Sequence, residues 1–136
     1  MSGYLLDTNI ASHVIRGDKP RITRRLASLP IEEIAISAVT EGELLCGLAR
    51  RNYPAALTER VRQFLLRVDV LAWDHDVTEV YAGLRASCEA KGVSLAPLDM
   101  MIAAQAVAAD AVLVTTDKAF SRAPDPLRTE NWDGTR

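Results

Sequence analysis

The sequence contains few aromatic residues, few lysines and only two cysteines. Aromatic side chains make up 5% of the 136 residues, so a core must be built mainly from Leu, Val, Ile and Ala. Cys46 and Cys88 stand in no CxxC or Cys/His ligand spacing, which argues against a disulfide framework or a structural zinc site. Each cysteine falls on a predicted helix, and we expect both to be small, buried apolar side chains.

The sequence also lacks a membrane-spanning run and an excess of positive charge. No apolar run approaches the roughly 18 residues of a membrane span. The chain runs from Met1 directly into a strand pattern, without the basic and apolar regions of a secretion signal, and this predicts a cytoplasmic protein. The formal net charge of −2 argues against binding nucleic acid through overall charge alone, but it allows a local basic patch.

The length and composition that are present are typical of one globular domain. The chain is 49% hydrophobic and 25% charged, which excludes a disordered protein. We predict a single domain over residues 1–132 and a frayed tail over residues 133–136.

Short apolar runs alternate with segments of helical spacing along the chain. Strands are predicted at residues 3–6, 34–37, 70–72, 111–115 and, more weakly patterned, 127–130. Helices are predicted at residues 8–16, 20–29, 38–48, 54–68, 77–91 and 99–109. In the third helix, Leu44, Leu45 and Leu48 are predicted to face a core. The alternation predicts an α/β fold of three layers, in which a mostly parallel central sheet of four to five strands has helices on both faces.

Four acidic residues occupy positions where strands end or helices begin. Asp7 ends the first strand, and Glu43 lies one turn inside the helix after the second. Asp99 opens a helix, and Asp117 follows the fourth strand. Ligand sites of open α/β sheets lie beyond the carboxyl ends of the strands, so these acids could share one cleft. Such carboxylates favour a Mg²⁺ or Mn²⁺ site, which could activate water for phosphodiester hydrolysis.

Each acid also has a structural interpretation, and the sequence leaves both readings open. Asp7 and Asp99 could be helix N-caps, and Asp117 could be a turn residue. Thr40 and Glu43 have the spacing of a capping box.

Several neighbouring residues are equally ambiguous. Glu41 competes with Glu43, because the two lie on different faces of one helix and periodicity does not choose between them. Four polar side chains could hydrogen-bond to the metal-binding acids or could merely act as caps: Thr8, Asn9, Thr115 and Thr116. Four arginines are candidate RNA phosphate contacts or, alternatively, parts of solvated helix faces: Arg24, Arg25, Arg50 and Arg51. Neither His13 nor His75 lies in a segment that contains one of the four acids. We therefore expect that no histidine acts as the general base.

Four segments in order resemble the sequence blocks of the PIN-domain family, and specifically those of VapC-type toxins. LLDTN resembles the first block, with Asp7 as its acid, and ISAVTEGELLCG resembles the second, which places the family's acid at Glu43. APLDMMIAAQA and VLVTTDKAF resemble the third and fourth blocks and place their acids at Asp99 and Asp117. The ending LRTENW resembles that of enteric-type VapC proteins.

The resemblance implies a PIN fold and an endoribonuclease that depends on Mg²⁺ or Mn²⁺, with the four acids as catalytic metal ligands. It also implies an RNA substrate, a small VapB-like antitoxin and a homodimer, and the C-terminal ending favours tRNA. One alternative is a phosphatase of the haloacid-dehalogenase type, although that class requires a second acid where this chain has Asn9. Another is a non-catalytic PIN-like domain that binds RNA or protein, which would not need a complete set of acids.

Overall fold

A single parallel sheet forms the centre of the molecule. The structure, a computed structural model, describes residues 3–134. The strands are β1 Tyr4–Leu6, β2 Ile34–Ser37, β3 Asp69–Leu71, β4 Val112–Val114 and β5 Thr129–Glu130. Their order is β3-β2-β1-β4-β5, and every neighbouring pair is parallel. The predicted parallel sheet is therefore confirmed, including the short last strand.

Helices connect the strands. They are α1 Thr8–Arg16, α2 Pro20–Ala27, α3 Ala38–Arg50, α4 Ala55–Arg67, α5 His75–Ala90 and α6 Pro97–Ala108. Local signals explain several of their ends. Gly17 stops α1 in the left-handed conformation, with φ of 65°, where glycine has no steric penalty. The N-cap of α5 is Asp74, which accepts a hydrogen bond from the Asp76 N–H at 3.1 Å. Two short 3₁₀ helices were not predicted and lie at Ile31–Glu33 and Lys118–Arg122.

The helices cover both faces of the sheet, because successive strand residues point to opposite sides. In β1, Leu5 is fully buried against α5 and α6, whereas its neighbour Leu6 is fully buried on the face covered by α1 to α4. In β2 the same alternation places Ala35 on the first face and Ile34 and Ile36 on the second. The predicted three layers are confirmed.

Two expectations for α3 are wrong. Leu44 and Leu48, four residues apart, are buried, but Leu45 is 44% exposed. Cys46 is also exposed, whereas Cys88 is buried as predicted. The reason is that α3 buries only one narrow face, and residues one and two positions after Leu44 are turned away from it by about 100° and 200°.

Trp132, near the C-terminus, is buried in the core on the face covered by α1 to α4. Asp133 lies 3.9 Å from the Lys19 ammonium, and Thr135 and Arg136 of the predicted tail lie outside the described residues. No helix within residues 3–134 is long and apolar enough to cross a membrane.

Candidate active site

The strand order creates a crevice between β1 and β4. From β1 the chain moves outward to β2 and β3, and it then returns to add β4 on the other side of β1. Ligands bind at such a reversal point, outside the carboxyl ends of the strands. Asp7 directly follows β1, and Asp117 follows β4 by three residues. Both acids therefore stand at the edge of the sheet where a ligand site is expected.

Asp7 is held firmly at this edge. Its side chain is only 4% exposed, and Oδ1 accepts a hydrogen bond from the Ile10 N–H at 2.9 Å, which caps α1. Burial raises the pKa of Asp7, and the charges of Asp117 and Glu43 raise it further, while hydrogen bonds from Thr115 and Ile10 oppose the shift. The predicted cap is thus present, but a cap alone does not require a buried carboxylate beside two others.

Glu43 reaches the site from the second turn of α3. Ser37 caps this helix by accepting a hydrogen bond from the Val39 N–H at 3.0 Å, so Thr40 and Glu43 do not form the capping box that their spacing allows. Instead, Glu43 Oε1 accepts a hydrogen bond from the Thr8 hydroxyl at 2.5 Å. The charge of Glu43 raises the pKa of both Asp7 and Asp99. The structure therefore brings Glu43 to the other acids.

Asp99 lies in the first turn of α6, whose N-terminus points to the same edge of the sheet. The N-cap position is Ala96, so Asp99 is not the cap that the sequence allowed. Burial raises the pKa of Asp99 most, and the charges of Asp117, Asp7 and Glu43 raise it further. All four predicted acids thus lie near enough to one another to interact electrostatically.

Asp117 is the most exposed of the four. Its Oδ1 accepts a hydrogen bond from the Ala119 N–H at 2.9 Å, as expected for a turn residue, and its own N–H donates to the Thr115 hydroxyl at 3.0 Å. The buried Thr115 hydroxyl therefore links Asp117 to Asp7. Of the predicted polar neighbours, Thr8 and Thr115 contact the acids, whereas Asn9 and Thr116 are exposed.

A buried network of hydrogen bonds behind the acids was not predicted from the sequence. The Ser37 hydroxyl donates to Gln105 Oε1 at 2.9 Å, and Gln105 Nε2 donates to the Ala72 carbonyl at 3.1 Å. Gln105 is 4% exposed and lies on α6, so it joins that helix to the start of α3 and to the end of β3. The feature of the sequence that could have indicated this network is the single amide side chain in the otherwise apolar stretch MIAAQAVA.

The predicted RNA-contacting arginines fall into separate surroundings. The Arg25 guanidinium lies 5.7 Å from the ring centroids of both Tyr4 and Trp132, and 3.7 Å from a Glu130 oxygen. These contacts give Arg25 a structural role. Arg24 is exposed on α2. Arg50 and Arg51, at the end of α3, line two different hollows that both include Glu43.

The four carboxylates suit a hard divalent cation in chemistry, but they are not closed around one point. Within residues 3–134, no three His, Cys, Asp or Glu side chains are arranged to hold a common metal ion. Asp7, Glu43 and Asp117 each have one oxygen engaged by an N–H or hydroxyl donor. The pKa values of Asp7 and Asp99 are raised by burial and by the neighbouring negative charges, and a bound Mg²⁺ or Mn²⁺ would stabilise their ionised forms.

Comparison with known proteins identifies the family. The family model of the PIN domain matches residues 4–126. The chain belongs to the PIN-domain family. It is similar to Ribonuclease VapC2 of Rickettsia felis, with 33% identity over 132 residues that cover 96% of this chain and 98% of the relative. It is also 31% identical to the tRNA(fMet)-specific endonuclease VapC of Shigella flexneri, over 97% of this chain and 99% of that one.

Solved structures agree with the sequence comparison. The chain in the crystal structure of VapBC2 from Rickettsia felis, bound to a DNA fragment from their promoter, has a TM-score of 0.87 and 32% identity, covering 98% of this chain and 100% of that chain. The resemblance to VapC-type PIN domains and the predicted PIN-like three-layer fold are confirmed.

Proposed function

We propose that this protein is an endoribonuclease that hydrolyses RNA phosphodiester bonds with a divalent metal ion, and that it is the toxin of a VapBC-like toxin–antitoxin pair. The observation that carries the proposal is the surroundings of Asp99, whose pKa is raised by burial and by the charges of Asp117, Asp7 and Glu43. A fold gains no stability from bringing four acids together, so their convergence at the sheet edge indicates a function that needs them.

The four acids would hold a Mg²⁺ or Mn²⁺ ion. When bound, such an ion lowers the pKa of a water molecule and offsets negative charge on the phosphate. Asp7 is the rigid member, because its backbone cap and its burial fix its carboxylate. Thr8 orients Glu43, and Thr115 holds the Asp117 loop against Asp7. The histidines serve elsewhere, since His13 pairs with Asp18 at 2.9 Å and His75 is exposed at the start of α5.

The substrate that we propose is RNA, and tRNA in particular. Relatives that cover almost all of this chain are named as ribonucleases, and two are named as specific for tRNA(fMet). Arg24, Arg50 and Arg51 are the arginines that we propose as phosphate contacts. Arg25 is omitted, because RNA would have to displace its contacts with Tyr4, Trp132 and Glu130.

The partner that we propose is a small VapB-like antitoxin that blocks the site. Support comes from the solved VapBC structures of Rickettsia felis and Salmonella typhimurium. One chain in each of these structures matches this chain with a TM-score of 0.87. We further propose a homodimer acting in the cytoplasm, with residues 1–132 as the single functional domain.

The test is cleavage of a total tRNA pool by the purified chain without antitoxin. Discrete fragments should form with Mg²⁺ or Mn²⁺ and should disappear with EDTA. They should also disappear with Glu43→Gln but persist with Glu41→Gln, which removes the same charge two residues away in α3 without touching the acidic site. Mapping the cut would name the RNA.

Two outcomes would contradict the proposal. Cleavage that persists in EDTA and in Glu43→Gln would mean that the acids and the metal are not used. An absence of cleavage by the folded chain on both tRNA and ribosomal RNA, together with no Mn²⁺ binding by calorimetry, would favour the non-catalytic PIN-like alternative.

A further inference from the structure

A cavity of about 140 Å³ opens beside Glu43, between α1, α3 and α4. Thr8 and Glu43 form the end of the cavity that adjoins the candidate active site. The other polar residues that line the cavity are Ser12, Arg16 and Arg51. Apolar residues of α1, α3 and α4 form the rest of the wall.

The two arginines differ in how firmly they are held. Arg16 Nε lies 3.1 Å from an Asp18 oxygen, and Arg16 Nη2 lies 3.1 Å from His13 Nδ1, so its guanidinium is fixed in orientation. Arg51 is exposed at the end of α3. Among the ion pairs formed within residues 3–134, none involves Arg51. Its charge is therefore available to a ligand in the cavity.

A glycine keeps this cavity open. Gly47 lies in the interior of α3 and lines the cavity, and a Cβ at this position would meet no atom within 4 Å. Glycine stabilises a helix interior less than alanine does, and no close approach of neighbouring atoms requires glycine here. The absent side chain leaves free volume one turn from Glu43.

We propose that this cavity binds an RNA phosphate adjacent to the one that is cleaved, with Arg51 as its main ligand. The planar fork of arginine matches phosphate oxygens, and the Ser12 hydroxyl is a second donor in the same wall. The volume suits a phosphate group with a few waters and is too small for a whole nucleotide. Because Glu43 belongs to the wall, a phosphate bound here would place the next linkage of the chain at the four acids. This inference rests on the proposed function and adds a binding position for the substrate.

The first experiment compares Arg51→Gln with Arg62→Gln, which removes an exposed arginine of α4 outside the lining of this cavity. Arg51→Gln should raise KM for a short single-stranded RNA about tenfold, with kcat within twofold, because the lost contact is made equally in the bound and transition states. The slope of log KM against log salt concentration should fall by about 0.7, the value for one phosphate contact on a single strand. Arg62→Gln should retain the wild-type KM and slope.

The second experiment fills the cavity. Gly47→Gln should raise KM at least as much as Arg51→Gln, because its side chain occupies the space of the phosphate. Gly83→Gln is the matched control, since Gly83 is an exposed glycine in α5 whose Cβ would also meet nothing within 4 Å. Thermal unfolding of both variants verifies that each remains folded.

Binding measurements separate this inference from the proposed function. RNA binding by Asp99→Asn, measured by fluorescence anisotropy with Mg²⁺ present, should weaken about tenfold when Arg51→Gln is added, whether or not the wild-type chain cleaves the RNA. If KM, the salt slope and this affinity were all unchanged by both Arg51→Gln and Gly47→Gln, the cavity would not be a phosphate site, even if cleavage itself were established.

Discussion

Asp7 combines a structural contact and a proposed catalytic role in one carboxylate. One oxygen caps α1 through the Ile10 N–H, and the charge is buried close to Asp117 and Glu43, which raise its pKa. The cap stabilises the fold, whereas the buried charge destabilises it until a cation is bound. Asparagine caps helices about as well as aspartate, so the two contributions can be separated by mutation.

Asp7→Asn should therefore abolish RNA cleavage and still stabilise the metal-free chain. We expect cleavage to fall at least about 100-fold, because a metal-binding charge is lost. The melting temperature in EDTA should rise by about 2–4 °C, because a buried repulsive charge is removed while the Ile10 cap remains. Asp7→Ala is the control and should melt below Asp7→Asn, since the missing cap costs about 1 kcal/mol. A lower melting temperature for Asp7→Asn than for the wild type would show that the charge of Asp7 is fully compensated without metal.

At the scale of elements, Gln105 holds α6 in place relative to α3. Its amide accepts from Ser37, the residue that caps α3, and donates to the Ala72 carbonyl just after β3. Asp99 lies on α6 and Glu43 on α3, so the spacing of these two acids depends on how the helices are joined. The Trp73 indole reinforces the join by donating to the Met101 carbonyl at 2.8 Å.

Gln105→Met should weaken both the fold and metal binding. The variant keeps a similar shape but leaves the Ser37 hydroxyl and the Ala72 carbonyl without their partner, at a cost of about 1–3 kcal/mol in unfolding free energy. Mn²⁺ affinity, measured by calorimetry below the melting temperature, should fall about 10-fold or more, as expected for a residue that positions ligands. Gln63→Met, at an exposed amide of α4, should leave both quantities near the wild-type values. Unchanged Mn²⁺ affinity in folded Gln105→Met would restrict Gln105 to a structural role.

At the scale of the whole molecule, Asp7 and Asp99 make stability depend on pH. The raised pKa values of Asp7 and Asp99 mean that the folded chain holds these protons more tightly than the unfolded chain. Their stabilising contribution is therefore fully present below the ordinary value of 3.8 and is lost as the pH rises through the raised folded-state pKa values. Near neutral pH, the divalent ion that we propose would replace the protons in offsetting the negative charge.

The difference in melting temperature between Asp99→Asn and the wild type follows from this linkage. In EDTA the variant should melt higher at pH 7, and the difference should shrink as the pH is lowered towards 3.8. Added Mg²⁺ at pH 7 should stabilise the wild type more than Asp99→Asn, because binding to the folded state alone raises stability. A difference that does not change with pH would mean that the charge of Asp99 is not the cause.

Local signals in the sequence were sufficient to predict most of the fold. Alternating apolar runs and helical spacing predicted the parallel sheet and the helices that connect its strands. Such features depend on neighbours within a few residues, so a linear pattern contains them. The four acids were found from their positions at strand and helix ends together with the family blocks that surround them.

Packing between distant segments decided the rest. Periodicity could not choose Glu43 over Glu41, because only the position of Thr8 on another helix shows which side of α3 faces the site. The exposure of Cys46 and the burial of Gln105 likewise depend on which faces of α3 and α6 meet other elements. The sequence by itself determined the order of strands and helices, and it indicated the four acids, whose catalytic role stays a prediction. Only the tertiary structure determined which side chains meet, because those contacts join residues that are tens of positions apart.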